Sequence, residues 1–247
     1  RSISSRMRQT ALSGVSNHRA RIDQTMNIAG LHSKKLIWDW PTRCFHWALA
    51  LLIVVLFITG KLGGNWMEWH AKSGYAVLGL IAFRLCWGAV GSTTARFSSF
   101  VRGPKTILCW LRGGAVSHVG HNPLGALSVV AMITLIGVQA VTGLFANDDI
   151  MTEGPYATAV GKENSDLVTK IHKINSNVIA GFTILHLLAI VAHSVRKGRG
   201  MVMAMVTGRG EVPAETTLKF VPGWLAVVLA LIIALGIAAL VNKGPPF

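Results

Sequence analysis

Five long apolar runs dominate the chain, at roughly 44–60, 70–90, 124–146, 171–195 and 222–241. A bilayer core of about 30 Å takes about 20 residues of helix to cross. Each run reaches that length once its flanking aromatic residues are counted. Peptide N–H and C=O groups in hydrocarbon must be satisfied within their own segment, so the runs predict five transmembrane helices. Residues 1–37 contain no such run. They are polar and basic, with Arg1, Arg6, Arg8, Arg19, Arg21, Lys34 and Lys35 against a single Asp23. This tail lacks the apolar core of a secretory signal and is expected to be largely disordered.

A short internal repeat runs through the apolar pattern. The first run closes on Ile58-Thr59-Gly60 and the third on Val141-Thr142-Gly143, and the run after each opens with a histidine, His70 or His172. Two helical hairpins forming a four-helix bundle fit this pattern, with the fifth helix added outside.

Composition agrees that lipid is the main solvent. Of 247 residues 51% are apolar and 14% charged, against about 25% charged in a typical soluble domain. The net charge of +14 has the size of a nucleic-acid footprint, but its placement says otherwise. Eight Lys and Arg lie in the tail through Arg43. Arg96, Arg102, Lys105 and Arg112 follow the second run, and Arg196, Lys197, Arg199, Arg209 and Lys219 follow the fourth. The alternate loops differ: Lys61 and Glu68 flank the first, and 147–170 holds Asp148, Asp149, Glu153, Glu163 and Asp166 against Lys162 and Lys170. Basic segments on one side predict a bacterial inner-membrane protein with its N-terminus cytoplasmic and its C-terminus periplasmic. The charge is topology, and no nucleic-acid partner is expected.

Three cysteines, Cys44, Cys86 and Cys109, form no close pair and no Cys-x-x-Cys-His run. Covalent c-type haem and zinc clusters are therefore excluded, and the thiols read as small apolar residues.

Ionisable residues inside membrane helices are functional candidates by default. His18, His32, His118 and His121 fall in the tail, in a loop or at a span edge, leaving His46, His70, His172, His186 and His193. His172 and His186 are 14 residues apart on one helix, about 21 Å along the axis and only about 40° around it. Depth pairs His46 with His186 toward the basic side and His70 with His172 toward the other. Two bis-imidazole sites stacked through a bundle suit two b-type haems. Hydrogen bonding between helices is the alternative use of such a side chain. His193 lies beside Arg196 and Lys197 and reads as interfacial.

Gly74, Gly79, Gly88, Gly125, Gly137, Gly143 and Gly181 leave room for a macrocycle or for a close helix, without distinguishing the two. Arg43, Lys72, Arg84 and Lys173 are cations near the two levels, suited to haem propionates or to lipid phosphates. Gln139 is a lone amide in the third run, suited to a ligand, a quinone carbonyl or a neighbouring helix.

The run Trp38-Asp39-Trp40-Pro41-Thr42-Arg43-Cys44-Phe45-His46-Trp47 resembles the opening of the prokaryotic cytochrome b561 family, which is related to the b-type subunit of nickel–iron hydrogenases. His70-x-x-x-Gly74 leading to Arg84-x-x-Trp87-Gly88, the pair His172 and His186, and Met203-Ala204-Met205-Val206-Thr207-Gly208-Arg209 agree with it. The resemblance implies an all-α, four-helix membrane bundle over 38–210. It would hold two non-covalent b haems through His46, His70, His172 and His186. Residues 1–37 would be a cytoplasmic tail, and 211–247 a linker with an extra transmembrane helix. The resemblance further implies electron transfer between ubiquinone or menaquinone and a periplasmic partner, such as a c-type cytochrome or another redox subunit. Alternatives are a superoxide:quinone oxidoreductase steered by Lys72 and Lys173, a hydrogenase-type subunit, and a non-redox transporter using histidines as a relay.

Overall fold

The computed structural model describes residues 32–113, 120, 122–150 and 152–243. The tail before residue 32 (His18 included) and the positions of His118 and His121 lie outside the described residues. In chain order the elements are β1 (His32–Leu36), α1 (Trp40–Leu62), a 3₁₀ turn (Gly64–Trp66), α2 (Met67–Val90), α3 (Phe97–Phe100), α4 (Pro104–Leu111), α5 (Pro123–Gly143), α6 (Ala157–Val160), α7 (Lys162–Lys197), α8 (Gly200–Thr207), β2 (Arg209–Pro213) and α9 (Gly223–Asn242). Helices α1, α2, α5, α7 and α9 are long and apolar enough to cross a membrane. All five expected spans are present.

Local chemistry sets where the helices begin. Asp39 caps α1 by accepting from the Thr42 N–H at 3.0 Å, with Pro41 in the first turn. Asn122 caps α5 by accepting from Gly125 N–H at 2.6 Å, with Pro123 next. Each satisfies a donor left free in the first turn. Between α1 and α2 the chain reverses through Gly63 and Gly64, both at positive φ (64° and 52°), a conformation that side chains with a Cβ resist. Helix α7 starts nine residues before its apolar run and extends for 36 residues, about 54 Å. Its polar first turns therefore project beyond the bilayer core.

Helix α2 is central and packs against α1, α5 and α9, while α7 packs along α5 and touches α8. Val77 and Ile81 of α2, Ile133 and Ile136 of α5 and Ile179 of α7 form the main core, bordered by Leu49, Leu52 and Leu56 of α1. The fifth span lies outside this group, with Ile233 and Ile237 of α9 facing Gly79 at 4.0 and 3.8 Å from where a Cβ would stand.

The basic segments gather at one end of the bundle. The Gly208 carbonyl accepts from Ile37 N–H at 2.7 Å and Trp38 N–H at 3.0 Å. Thr94 Oγ1 donates to the Ile37 carbonyl at 2.5 Å, and Thr93 N–H donates to the Lys219 carbonyl at 2.9 Å. At the other end the 144–156 loop is clamped to the start of α7. Asn147 Nδ2 donates to Ser165 Oγ at 2.6 Å and Asp166 Oδ1 at 3.0 Å, and Ser165 Oγ donates to the Phe145 carbonyl at 2.7 Å. Tyr156 Oη ties the end of α9 to this side by donating to the Leu240 carbonyl at 2.6 Å.

Two expectations are corrected. The last residues of the tail are not disordered: β1 pairs antiparallel with β2, Lys34 opposite Glu211 and Lys35 opposite Gly210. Lys35 Nζ donates to the carbonyls of Ala214 at 2.6 Å and Thr216 at 3.0 Å, and Ile37, Trp38, Ala204 and Val212 bury a small apolar cluster beside the ribbon. Divisions at 37/38 and 210/211 therefore fall within one packed unit. The three cysteines are not packed inside; all are free thiols on the exposed surface.

Asp39 does more than cap a helix. Its carboxylate is 5% exposed, and its second oxygen accepts from Trp87 Nε1 at 3.0 Å. Asp39→Ala leaves both donors without this acceptor, so a loss of about 1–3 kcal/mol is expected. Thermal unfolding in detergent checks it: Asp39→Ala melts well below the parent, and Asp39→Asn, which keeps an acceptor, lies between the two.

Candidate functional site

His70 on α2 and His172 on α7 face one another with ring centroids 6.3 Å apart and planes at 74°. Each ring is seated in the same way on the preceding membrane helix. Thr59 Oγ1 lies 3.2 Å from His70 Nδ1, and the Leu56 carbonyl lies 3.1 Å from the same nitrogen. Thr142 Oγ1 lies 3.0 Å from His172 Nδ1, and the Gln139 backbone lies beside the same ring. A Cβ on Gly60 would meet His70 Cε1 at 3.0 Å, and one on Gly143 would meet His172 Cε1 at 3.2 Å. Thr-Gly and the carbonyl three residues earlier thus form one seat, used twice. The sequence shows it only as a repeated tripeptide; the histidines that occupy it are 11 and 30 residues away.

The second pair is built differently. His46 on α1 and His186 on α7 lie within electrostatic reach of one another, and both are half-buried. Among the described residues the buried Nδ1 of His46 has no hydrogen-bond partner. His193 lies about 10 Å further along α7, half-buried near the basic end.

These surroundings fit a metal-centred macrocycle. Metal–imidazole bonds of about 2 Å to two opposed ring nitrogens would separate the ring centroids by roughly 6 Å, close to the spacing of His70 and His172. A methyl group added at Gly74 or Gly181 would have nothing within 4 Å, whereas one at Gly88 would meet Phe97 at 2.1 Å, one at Gly137 Ile81 at 3.7 Å and one at Gly125 its own cap, Asn122. Only Gly74 and Gly181 of the seven glycines border open space. Among the described residues no three His, Cys, Asp or Glu side chains converge as a metal cluster.

The candidate cations fall into different environments. Arg43 Nη1 donates to the Val206 carbonyl at 2.7 Å, and its buried Nε has no partner among the described residues. Lys72 pairs with Glu68 at 2.5 Å and lies over the Trp69 ring at 5.5 Å. Lys173 lines an open cavity of roughly 340 Å³ with Asp149 and Asp166. Arg84 is 3% exposed, lies 4.6 Å from the Phe97 ring centre and feels the charge of Asp39. Its Nη1 has no partner among the described residues. Gln139 joins α5 to α7: Asn175 Nδ2 donates to Gln139 Oε1 at 2.8 Å and to the Leu135 carbonyl at 2.9 Å.

A helical membrane protein with opposed imidazoles between its spans has the build of a b-type cytochrome. The family model of prokaryotic cytochrome b561 matches residues 37–208 of the chain. The chain belongs to the prokaryotic cytochrome b561 family, an all-α membrane bundle that binds b-type haem and transports electrons. It is 26% identical over 208 residues to a "Probable Ni/Fe-hydrogenase B-type cytochrome subunit" of Rhodobacter capsulatus, covering 70% of this chain and 79% of that one. A protein of the same name from Bradyrhizobium diazoefficiens is 24% identical over 212 residues, covering 70% and 84%. No solved structure gives a significant match. Helix α9 lies beyond the family match.

The glycine seats predict a selective defect. Gly60→Val and Gly143→Val push branched carbons onto the rings and should lower haem b per chain in pyridine haemochrome assays. Gly236→Val on α9, where nothing lies within 4 Å, should leave haem content unchanged.

Proposed function

We propose that this chain is a dihaem cytochrome that carries electrons across the bacterial inner membrane. His70 and His172 would hold one haem, and His46 and His186 the other. The observation that carries this reading is the opposition of His70 and His172 at 6.3 Å, with His46 of α1 within electrostatic reach of His186 further along α7. When bound, each haem supplies a one-electron redox centre. The protein's own residues ligate, orient and insulate it. Arg84, buried with a free Nη1, is the candidate for a propionate partner, with Arg43 beside His46 in sequence.

The gathering of Lys and Arg at the end formed by β1, β2 and the 91–113 segment supports a cytoplasmic N-terminus. Helix α9 then ends on the periplasmic side, beside Tyr156. We place a quinone near the His46–His186 level and a redox subunit at the opposite end. The names of the relatives favour a hydrogenase as that subunit. The acidic loop gives less support to docking a basic c-type cytochrome than its composition suggests. Lys162 bridges Asp149 and Asp166, and Asp148 accepts from Ile150 and Thr152 N–H. The superoxide alternative loses one of its two steering charges in the Lys72–Glu68 pair.

Pyridine haemochrome analysis tests the reading directly. The purified protein should yield about two b haems per chain, and His186→Ala should remove one. Retention of both in that variant would overturn the pairing, and a colourless protein would overturn the function.

A further inference from the structure

The seat beneath His70 and His172 fixes more than ring position. A hydroxyl has one hydrogen to give. Thr59 directs it to the Val55 carbonyl at 2.7 Å, with Leu56 further away at 3.3 Å. Thr142 directs it to the Val138 carbonyl at 2.8 Å or the Gln139 carbonyl at 3.0 Å. The helix therefore consumes the donor, and the threonine oxygen meets the imidazole as an acceptor. The carbonyl beside it, from Leu56 or Gln139, can only accept. A bare ring nitrogen facing two acceptors would be repelled, so Nδ1 of each histidine carries the hydrogen. Its Nε2 is left with a lone pair.

We infer that Thr59 and Thr142 are positioning residues of the His70–His172 site: they hold both rings as Nδ1–H tautomers, with Nε2 free to bind iron, and make both ligands more electron-rich. This rests on the reading that these two histidines share a haem. An imidazole that donates from Nδ1 is a stronger base toward its metal, and a stronger base stabilises ferric over ferrous iron. The seat thus lowers the midpoint potential of the haem held there. The other site has no such seat, because His46 Nδ1 is buried without a partner among the described residues. The two haems differ in ligand polarisation within one bundle.

Thr59→Val and Thr142→Val keep shape and remove the oxygen. The test is a redox titration of the full-length protein in detergent, followed at the haem α-band, with electron paramagnetic resonance of the ferric state. Each valine variant should retain both haems and shift one midpoint potential upward, the double variant further, while the other potential stays in place. Thr59→Ser and Thr142→Ser should return to the parent value. The ferric signal of the shifted haem should change with ring orientation. Unchanged potentials, or an equal shift of both, overturn the inference. If a valine variant loses one haem, retention of it by the matching serine variant upholds the role of the oxygen, and loss in both overturns it. His70→Ala separates the two levels of argument. Removal of one haem upholds the ligand reading whatever the threonines do, and retention of both sinks that reading itself.

Discussion

A histidine inside a membrane has a polar hydrogen that lipid cannot accept, and the architecture is organised around satisfying it. A helix carbonyl keeps a second lone pair beside its own helical bond, and a threonine four residues beyond another carbonyl offers an oxygen whose own hydrogen is already engaged. Docking His70 on Thr59 and Leu56, and His172 on Thr142 and Gln139, meets this need twice. It also fixes the register of α1 on α2 and of α5 on α7. Glycine follows threonine in both places because the ring occupies the space of a Cβ. The same contact that satisfies the histidines therefore locks the two hairpins. Packing among Val77, Ile81, Ile133, Ile136 and Ile179 then joins one hairpin to the other.

The features legible in the sequence were those with a period or a depth. Five apolar runs gave five helices because hydrocarbon allows the backbone no other solution at that length. The likeness of Ile-Thr-Gly and Val-Thr-Gly gave the two hairpins, and helical arithmetic brought His70 and His172 to one level. What those threonines do was hidden, since the tripeptide and its histidine belong to different helices. The Asn175–Gln139 bond was hidden for the same reason. Gln139 stood out as a polar residue in an apolar run, but its neighbour across the interface depends on helix rotation. Asp39 sat within the motif that carried the family resemblance, yet its contact with Trp87 spans 48 positions. The strand at 32–36 escaped because His-Ser-Lys-Lys-Leu has no alternation of apolar and polar residues; its partner β2 and the cluster around Trp38 order it.

Charge reads differently once geometry is known. The sequence divides basic and acidic loops cleanly, and the structure keeps that division at the two ends of the bundle. Within the acidic end, however, the side chains serve the fold. Lys162 holds two carboxylates, Asn147 holds Ser165 and Asp166, and Asp148 shapes its own turn. Glu153 and Glu163 have no ion pair among the described residues. A loop that is acidic by composition thus has three of its five carboxylates tied into its own fold, while Glu153 and Glu163 keep their charge unpaired among the described residues.

The ribbon of β1 and β2 has a mechanical role. Helices α1 and α7, which carry His46 and His186, have few direct contacts and meet mainly through the shared core around Ile179. Strand β1 leads into α1, and β2 follows the short helix that leaves α7. Pairing the strands fastens the two helices at a common hinge, much as a hasp sets how far a door can open. The spacing of the two helices at the basic end is thereby tied to the backbone hydrogen bonds of the ribbon.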